Sequence, residues 1–126
     1  MSTSTSRQED VQSKNSQACP VVQALDAVGT PWRLQVLYAL RESELRFNEL
    51  KRATGGRSKT VSDALEVLTD RGLVARRTEE AAPIAVYYRL TQKGQTLLAH
   101  LDDVSQWAVE WMDGVEDPDE FSPRLR

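Results

Sequence analysis

The chain reads RFNELKRATGGRSKTVSDALEVLTDRGLV from Arg46 to Val74, and this stretch decides the fold. Phe47 and Leu50 are apolar at helical spacing and predict a first helix of about two turns. Gly55 and Gly56 end that helix, because consecutive glycines tolerate the positive backbone angles of a sharp turn. The stretch therefore predicts a short helix, a tight turn and a second helix.

The second helix is expected to begin at Ser58, whose hydroxyl can cap its first turn, and to stop at Gly72. Its apolar residues recur with the helical period on one face and are Val61, Ala64, Leu65 and Leu68. The opposite face is polar and carries Lys59, Ser62, Asp63, Glu66 and Asp70. This pattern is typical of the helix-turn-helix unit, whose second helix enters the major groove of DNA. A helical hairpin in a small bundle would give the same pattern.

Two strands with a short loop between them are predicted directly after this unit. They cover Leu73–Thr78 and Ala85–Leu90, and the loop reads EEAAPI. A recognition-type helix followed at once by a hairpin is the order of elements in a winged helix. The predicted fold class is therefore mainly α with a small β-hairpin wing (α+β), a winged helix-turn-helix.

Charge is unevenly distributed along the chain. The net charge of −3 and the pI near 5.2 taken alone argue against a nucleic-acid partner. Residues 31–93, however, hold 12 Lys and Arg against 8 Asp and Glu, whereas the remainder holds 4 against 11. The positive charge falls on the predicted helix-turn-helix and hairpin, which favours double-stranded DNA as the partner.

Length and rare residue types exclude several other classes of protein. The 126 residues support one domain, and no apolar run is long enough to cross a membrane. The N-terminus lacks the apolar core of a signal peptide, so we expect a cytoplasmic protein. One His and one Cys cannot form a nucleophilic triad or a multi-ligand metal site within one chain. We therefore expect neither an enzyme nor a bound cofactor or metal.

The flanks differ in composition from the predicted domain, which covers residues 18–113. Residues 1–17 are polar and charged and are expected to be disordered, and the acidic tail over residues 114–126 is expected to fray. The domain starts with a short helix that begins at Pro20 and is ended by Gly29. A largely apolar helix over residues 31–42 follows, and its composition predicts a central position.

The last predicted helix is capped by Thr91 and carries an extended apolar surface. Apolar residues recur along it with the heptad spacing that is typical of helices packing on other helices: Leu97, Leu101, Val104, Ala108 and Trp111. A second apolar set consists of Leu98, Trp107 and Met112. A domain of this size cannot cover both faces of such a helix, so we expect a second subunit to cover one of them. Folding back on its own core alone is the alternative.

Cys19 directly precedes the first predicted helix. The positive end of a helix stabilises the thiolate, which is the reactive form of cysteine. Cys19 is therefore a candidate redox sensor, although a lone cysteine also serves as a small buried hydrophobe.

Several motifs together carry a family resemblance: Cys19-Pro20-Val21, Gly29-x-x-Trp32-Arg33, Arg46-Phe47-x-Glu49-Leu50, Leu65-x-x-Leu68, Gly72-Leu73-Val74 and Tyr88-x-Leu90-Thr91-x-x-Gly94. Over about Cys19 to Trp111 the chain resembles the HxlR-type winged helix-turn-helix regulators, relatives of the MarR-like proteins. The resemblance implies a cytoplasmic transcriptional regulator that binds a pseudo-palindromic operator as a homodimer. Some members sense thiol stress through the cysteine that matches Cys19. Pro31 and Ala85 depart from the family, which usually has a lysine and a basic wing-tip residue there.

The predicted site residues fall into three groups. Base edges are expected to be read by Ser58, Lys59, Thr60, Ser62 and Asp63. Phosphates are expected to be contacted by Arg46, Lys51, Arg57, Arg76, Arg77 and Arg89. The resemblance implies a dimer interface built from the N-terminal and C-terminal helices, with Val21, Leu25, Leu97, Leu101, Val104, Trp107, Ala108 and Trp111. The alternative function is an adaptor that uses a winged helix for protein contact, and the sequence identifies no small-molecule effector.

Overall fold

The computed structural model describes residues 19–81 and 83–116. The predicted disorder of residues 1–17 and most of the predicted fraying after residue 114 lie outside the described residues. The chain divides into two compact units with the boundary after Thr30. The described part of the first unit contains helix α1 (Pro20–Val28), which ends before Gly29 as the sequence predicts.

The second unit contains the helix-turn-helix and the hairpin. Its elements are α2 (Pro31–Ala39), β1 (Leu45–Arg46), α3 (Phe47–Thr54), α4 (Ser58–Asp70), β2 (Val74–Glu79), β3 (Ala85–Leu90) and α5 (Gln92–Trp111). The strands form an antiparallel sheet in the order β1-β3-β2, with Leu45 opposite Tyr88 and Val74 opposite Leu90. The predicted fold class, mainly α with a small hairpin wing, is confirmed.

Helix α2 lies at the centre of this unit, in contact with α3, α4 and α5. Its Val36 and Leu37 are fully buried, together with Leu50 of α3 and Leu68 of α4, and Leu98 of α5 is nearly so. In α3 and α4 the buried residues fall on the apolar face that the helical period predicts, whereas α5 buries Leu98 and leaves most of its heptad face uncovered within the described residues. Within residues 19–81 and 83–116, no helix has the length and hydropathy that a membrane span requires.

Two helix boundaries differ from the sequence prediction. Helix α2 ends at Ala39 and not at residue 42, because the chain turns there to reach β1. Ser58 was expected to cap α4, but Arg57 is the N-cap, with an extended backbone (φ −77°, ψ 159°), and no side chain caps this end. The glycine turn leaves Arg57 as the last extended residue, so Ser58 is the first residue of the helix.

The hairpin strands lie within one residue of their predicted positions. Strand β1 was not predicted, because two residues are too few to show a period in the sequence. It pairs with β3 on the side opposite β2 and places Arg46 across from Tyr87. This third strand makes β3 the central strand of the wing.

Candidate nucleic-acid interface

Helix α4 presents a polar face to solvent. Ser58, Lys59, Ser62 and Asp63 are exposed, and Thr60 is half-buried. The apolar residues of the same helix, Val61, Ala64, Leu65 and Leu68, are buried. The structure therefore brings the predicted base-reading residues together on the first two turns of one helix, which is the part of a recognition helix that contacts base edges.

The turn before α4 is tightly built. Gly55 adopts a left-handed conformation (φ 73°), and its N–H bonds to the Lys51 carbonyl at 2.8 Å. The Thr54 hydroxyl donates to the Leu50 carbonyl at 2.8 Å and accepts the Gly56 N–H at 3.3 Å. These bonds fix the direction in which α4 leaves α3.

Arg46, Tyr87 and Arg77 form a row across the sheet on its three strands. Tyr87 of β3 is the register partner of Arg46 on β1 and of Arg77 on β2. The guanidinium carbon of Arg77 lies 4.5 Å from the centre of the Tyr87 ring, and that of Arg46 lies 6.0 Å away. Both distances are within the range of cation–π attraction.

Arg77 is also paired with two carboxylates. It donates to Glu44 at 2.5 and 3.4 Å and to Glu79 at 3.1 Å. The hydrogen bonds to Glu44 and Glu79 raise the pKa of Arg77, and the bond from Arg77 lowers the pKa of Glu44. Sequence reasoning assigned Arg77 to a phosphate and missed Glu44, which is 33 residues away in the chain. In the structure, the guanidinium of Arg77 therefore has two carboxylate partners, Glu44 before β1 and Glu79 on β2.

The other residues that are predicted to contact phosphates differ from Arg77 in their exposure and in their ion pairs. Within residues 19–81 and 83–116, Arg57 and Arg76 are exposed and have no ion pair. Arg76 is next to Arg77 on β2, so the two side chains project from opposite faces of the sheet. Lys51 is half-buried in the last turn of α3, and Arg89 is exposed on β3.

The first turn of α5 is bonded to the end of α4. Lys93 Nζ donates to the Arg71 carbonyl and the Thr91 hydroxyl to the Gly72 carbonyl, each at 2.6 Å. Thr91 also accepts the Gly94 N–H at 3.1 Å, which confirms it as the predicted cap of α5. The helix that carries the apolar surface is thus hydrogen-bonded to the turn that follows α4.

A second connection joins α5 to the region after α2. Arg41 donates to Asp102, and its guanidinium lies 5.5 Å from the centre of the Tyr38 ring. The hydrogen bond to Asp102 raises the pKa of Arg41, and burial is the main cause that raises the pKa of Tyr38. The sequence did not predict this ion pair, whose partners are 61 residues apart.

The predicted dimer residues divide by exposure. Val104, Trp107 and Trp111 of α5 are exposed, as are Val21 and Leu25 of α1. The half-buried members are Leu97, Leu101 and Ala108. Only Leu98 of the two apolar sets is buried, so most of the apolar surface of α5 has no cover within the described residues.

Cys19 is the N-cap residue of α1 and is partly exposed. Within the described part of the chain, no group of three or more His, Cys, Asp and Glu side chains could hold a metal ion.

Comparisons with known proteins agree with this geometry. Residues 27–116 match the family described as HxlR-like helix-turn-helix. An uncharacterised HTH-type transcriptional regulator of Halalkalibacterium halodurans is 38% identical over 99 residues, which cover 77% of this chain and 88% of that protein. The reduced form of the transcriptional regulator YodB from B. subtilis gives a TM-score of 0.71 at 25% identity, covering 78% of this chain and 98% of that one. The redox regulator HypR in its oxidised form gives a TM-score of 0.67 at 29% identity, covering 75% and 99%.

The resemblance drawn from the sequence motifs is confirmed by these matches. The family match covers all of α2 to α5 and with them the helix-turn-helix, the wing and the long last helix. The chain belongs to the HxlR-like helix-turn-helix family.

Proposed function

We propose that this protein is a cytoplasmic transcriptional regulator, without enzymatic activity or cofactor, that binds a pseudo-palindromic DNA operator as a homodimer. The exposed polar face of α4 carries the proposal, because it stands beside the wing and has no cover within the described residues. Such a helix fits the major groove, which is wide enough to admit it. In each protomer, α4 reads base edges and the surrounding arginines hold the phosphates.

The apolar surface of α5 supports the homodimer. Trp111 is 72% exposed and Trp107 is 57% exposed, and Val104 lies on the same face. Isolated exposed apolar residues are ordinary, but a contiguous set with two tryptophans marks an interaction surface. In the proposed homodimer the two α4 helices lie about 34 Å apart, which is one turn of DNA. This spacing would let each helix bind one half of the operator.

Salt dependence tests the DNA contacts. If the dimer neutralises about eight phosphates, log Kd should change with log salt with a slope of about 7. Arg76→Gln should lower that slope by about 2, one for each protomer, because it removes an unpaired cation. Fluorescence anisotropy with an operator fragment at several salt concentrations measures both values.

Arg77→Gln is the matched control for the salt experiment, since it removes the same charge from the neighbouring residue. It should leave the slope nearly unchanged, because Arg77 is bonded to Glu44 and Glu79. Equal changes in the salt slope for the two variants would contradict the proposal that Arg76 contacts a phosphate. A flat salt response of the wild type would contradict DNA binding itself.

A protein-contact adaptor is the second candidate function. The observation that favours it is the acidity of α4, which carries one basic residue, Lys59, and three acidic residues, Asp63, Glu66 and Asp70. Immobilised protein that captures no fragment from sheared genomic DNA at low salt would favour the adaptor over the regulator.

We further propose that Cys19 makes DNA binding responsive to oxidation. Peroxide would join two Cys19 thiols in a disulfide, with two molecules of water as the other product; a small thiol could replace one of them. The support comes from the partial exposure of Cys19 at the start of α1 and from the similarity to HypR, which is described as a redox regulator.

Cys19→Ser tests this response. Wild-type affinity for the operator should change at least about tenfold after peroxide treatment and return after reduction with a thiol, whereas the serine variant should not respond. Operator titrations before and after treatment measure the change. The same affinity for both proteins under both conditions would exclude Cys19 as the sensor.

A further inference from the structure

Helix α4 carries more acid than base on its exposed face. Lys59 is the only cation among its residues, and Asp63, Glu66 and Asp70 are all exposed. A carboxylate that enters a groove between two rows of phosphates is repelled, unless a hydrogen-bond donor at a base edge compensates it. The acidic residue nearest the start of the helix therefore needs a partner on the DNA.

Lys59 and Asp63 already stand together as an ion pair. Lys59 Nζ lies 3.5 Å from Asp63 Oδ2, and the two side chains are 88% and 62% exposed. In a free helix this order is the less favourable one, because the cation lies near the positive end of the helix and the acid follows it. An exposed pair of this kind adds little to stability, so helix formation does not explain its presence.

The chemistry of the major groove selects the bases that fit this pair. Cytosine offers its N4 amine as a donor, and guanine offers O6 and N7 as acceptors. Adenine also has a donor, N6, but its N7 acceptor lies beside it and repels the second carboxylate oxygen. A carboxylate therefore prefers cytosine, and an ammonium group prefers guanine. Both side chains start from the first two turns of α4 and are exposed, so they can reach the same base pair or two neighbouring ones.

We propose that Lys59 and Asp63 together read a cytosine and a guanine, in one base pair or in two neighbouring ones, in each half of the operator. Asp63 accepts from cytosine N4, and Lys59 donates to guanine O6 or N7. On binding, the Lys59–Asp63 contact is replaced by these two contacts, so neither charge is left unpaired in the groove. The inference rests on the proposed function, because it names the bases that the same helix reads.

Selection of binding sites from a random DNA library tests the inference. Wild-type protein should enrich sites with a fixed cytosine and guanine in each half. Asp63→Asn should change the preference at one position from cytosine to adenine, since an amide pairs with adenine N6 and N7. The discrimination between the two bases should change by about 5- to 150-fold, the value of one good base contact.

Glu66→Gln is the matched control, because it makes the same change of charge one turn further along α4. It should keep the wild-type consensus and only strengthen binding at all sites. An unchanged consensus for Asp63→Asn, or a shift caused by Glu66→Gln, would overturn the inference and leave the proposed function intact. Failure of the wild type to enrich any sequence would instead contradict the proposed function.

Discussion

Changing Trp107 and Trp111 together to glutamine should convert the protein to a monomer and weaken operator binding by about 10²–10⁴-fold. Both indoles lie on one face of α5 and are largely exposed. A tryptophan side chain has about 150–250 Å² to bury, and 57% of Trp107 and 72% of Trp111 are exposed, so the four indoles of a symmetric dimer supply a substantial share of the roughly 1,600 Å² of a standard contact. The loss of operator affinity follows because each half-site would have to be bound separately.

Analytical ultracentrifugation at micromolar concentration measures the first effect, and anisotropy with full operators and half-operators measures the second. Glutamine keeps a good helix propensity, so α5 should remain folded. Gln106→Ala is the control, since residue 106 is exposed on a different side of α5 and should leave the dimer intact. A double variant that sediments as wild type, or a monomeric wild type, would remove α5 as the dimer contact.

The sequence predicted the elements that are built on a repeating apolar pattern. Val61, Leu65 and Leu68 repeat with the helical period and are buried as expected, and Gly55 stands in the left-handed turn that its position predicts. Thr91 caps α5 because a hydroxyl at that point can accept a backbone N–H. Each of these predictions depends on residues within a few positions of one another, which a single sequence shows directly.

Contacts between distant residues could not be predicted in the same way. The pair Arg41–Asp102 joins residues 61 positions apart, and Arg77 meets Glu44 only because β1 adds to the edge of the wing. An exposed arginine near a hairpin looks the same in the sequence whether it faces a phosphate or a carboxylate. For this reason the sequence predicts the same role for Arg76 and Arg77, and the fold adds only that Arg77 is bonded to two carboxylates.

Replacing Gly56 by alanine should unfold the helix-turn-helix more easily and weaken operator binding. A Cβ at this position would lie 2.9 Å from Val61 Cγ2 and 3.0 Å from Trp32 Cζ3. Val61 is fully buried and β-branched, so its side chain cannot rotate away within a helix. The turn must therefore shift relative to α4, which carries Val61. We expect a loss of about 1–3 kcal/mol in the free energy of unfolding, as for other overpacked sites.

Chemical denaturation and operator titration together measure the effects of Gly56→Ala. Affinity should fall by about tenfold or more, because a displaced α4 loses at least one base contact. Gly55→Ala is the control for backbone strain, since residue 55 has a left-handed backbone and open space around it. Val61→Ala removes the methyl group that a Cβ at position 56 would collide with. Combined with Gly56→Ala, it should restore part of the lost stability and operator affinity. Combined with Gly55→Ala, it should restore neither. If the losses of stability simply add when Val61→Ala is combined with Gly56→Ala, as they should with Gly55→Ala, then packing between the turn and α4 does not set the position of the recognition helix.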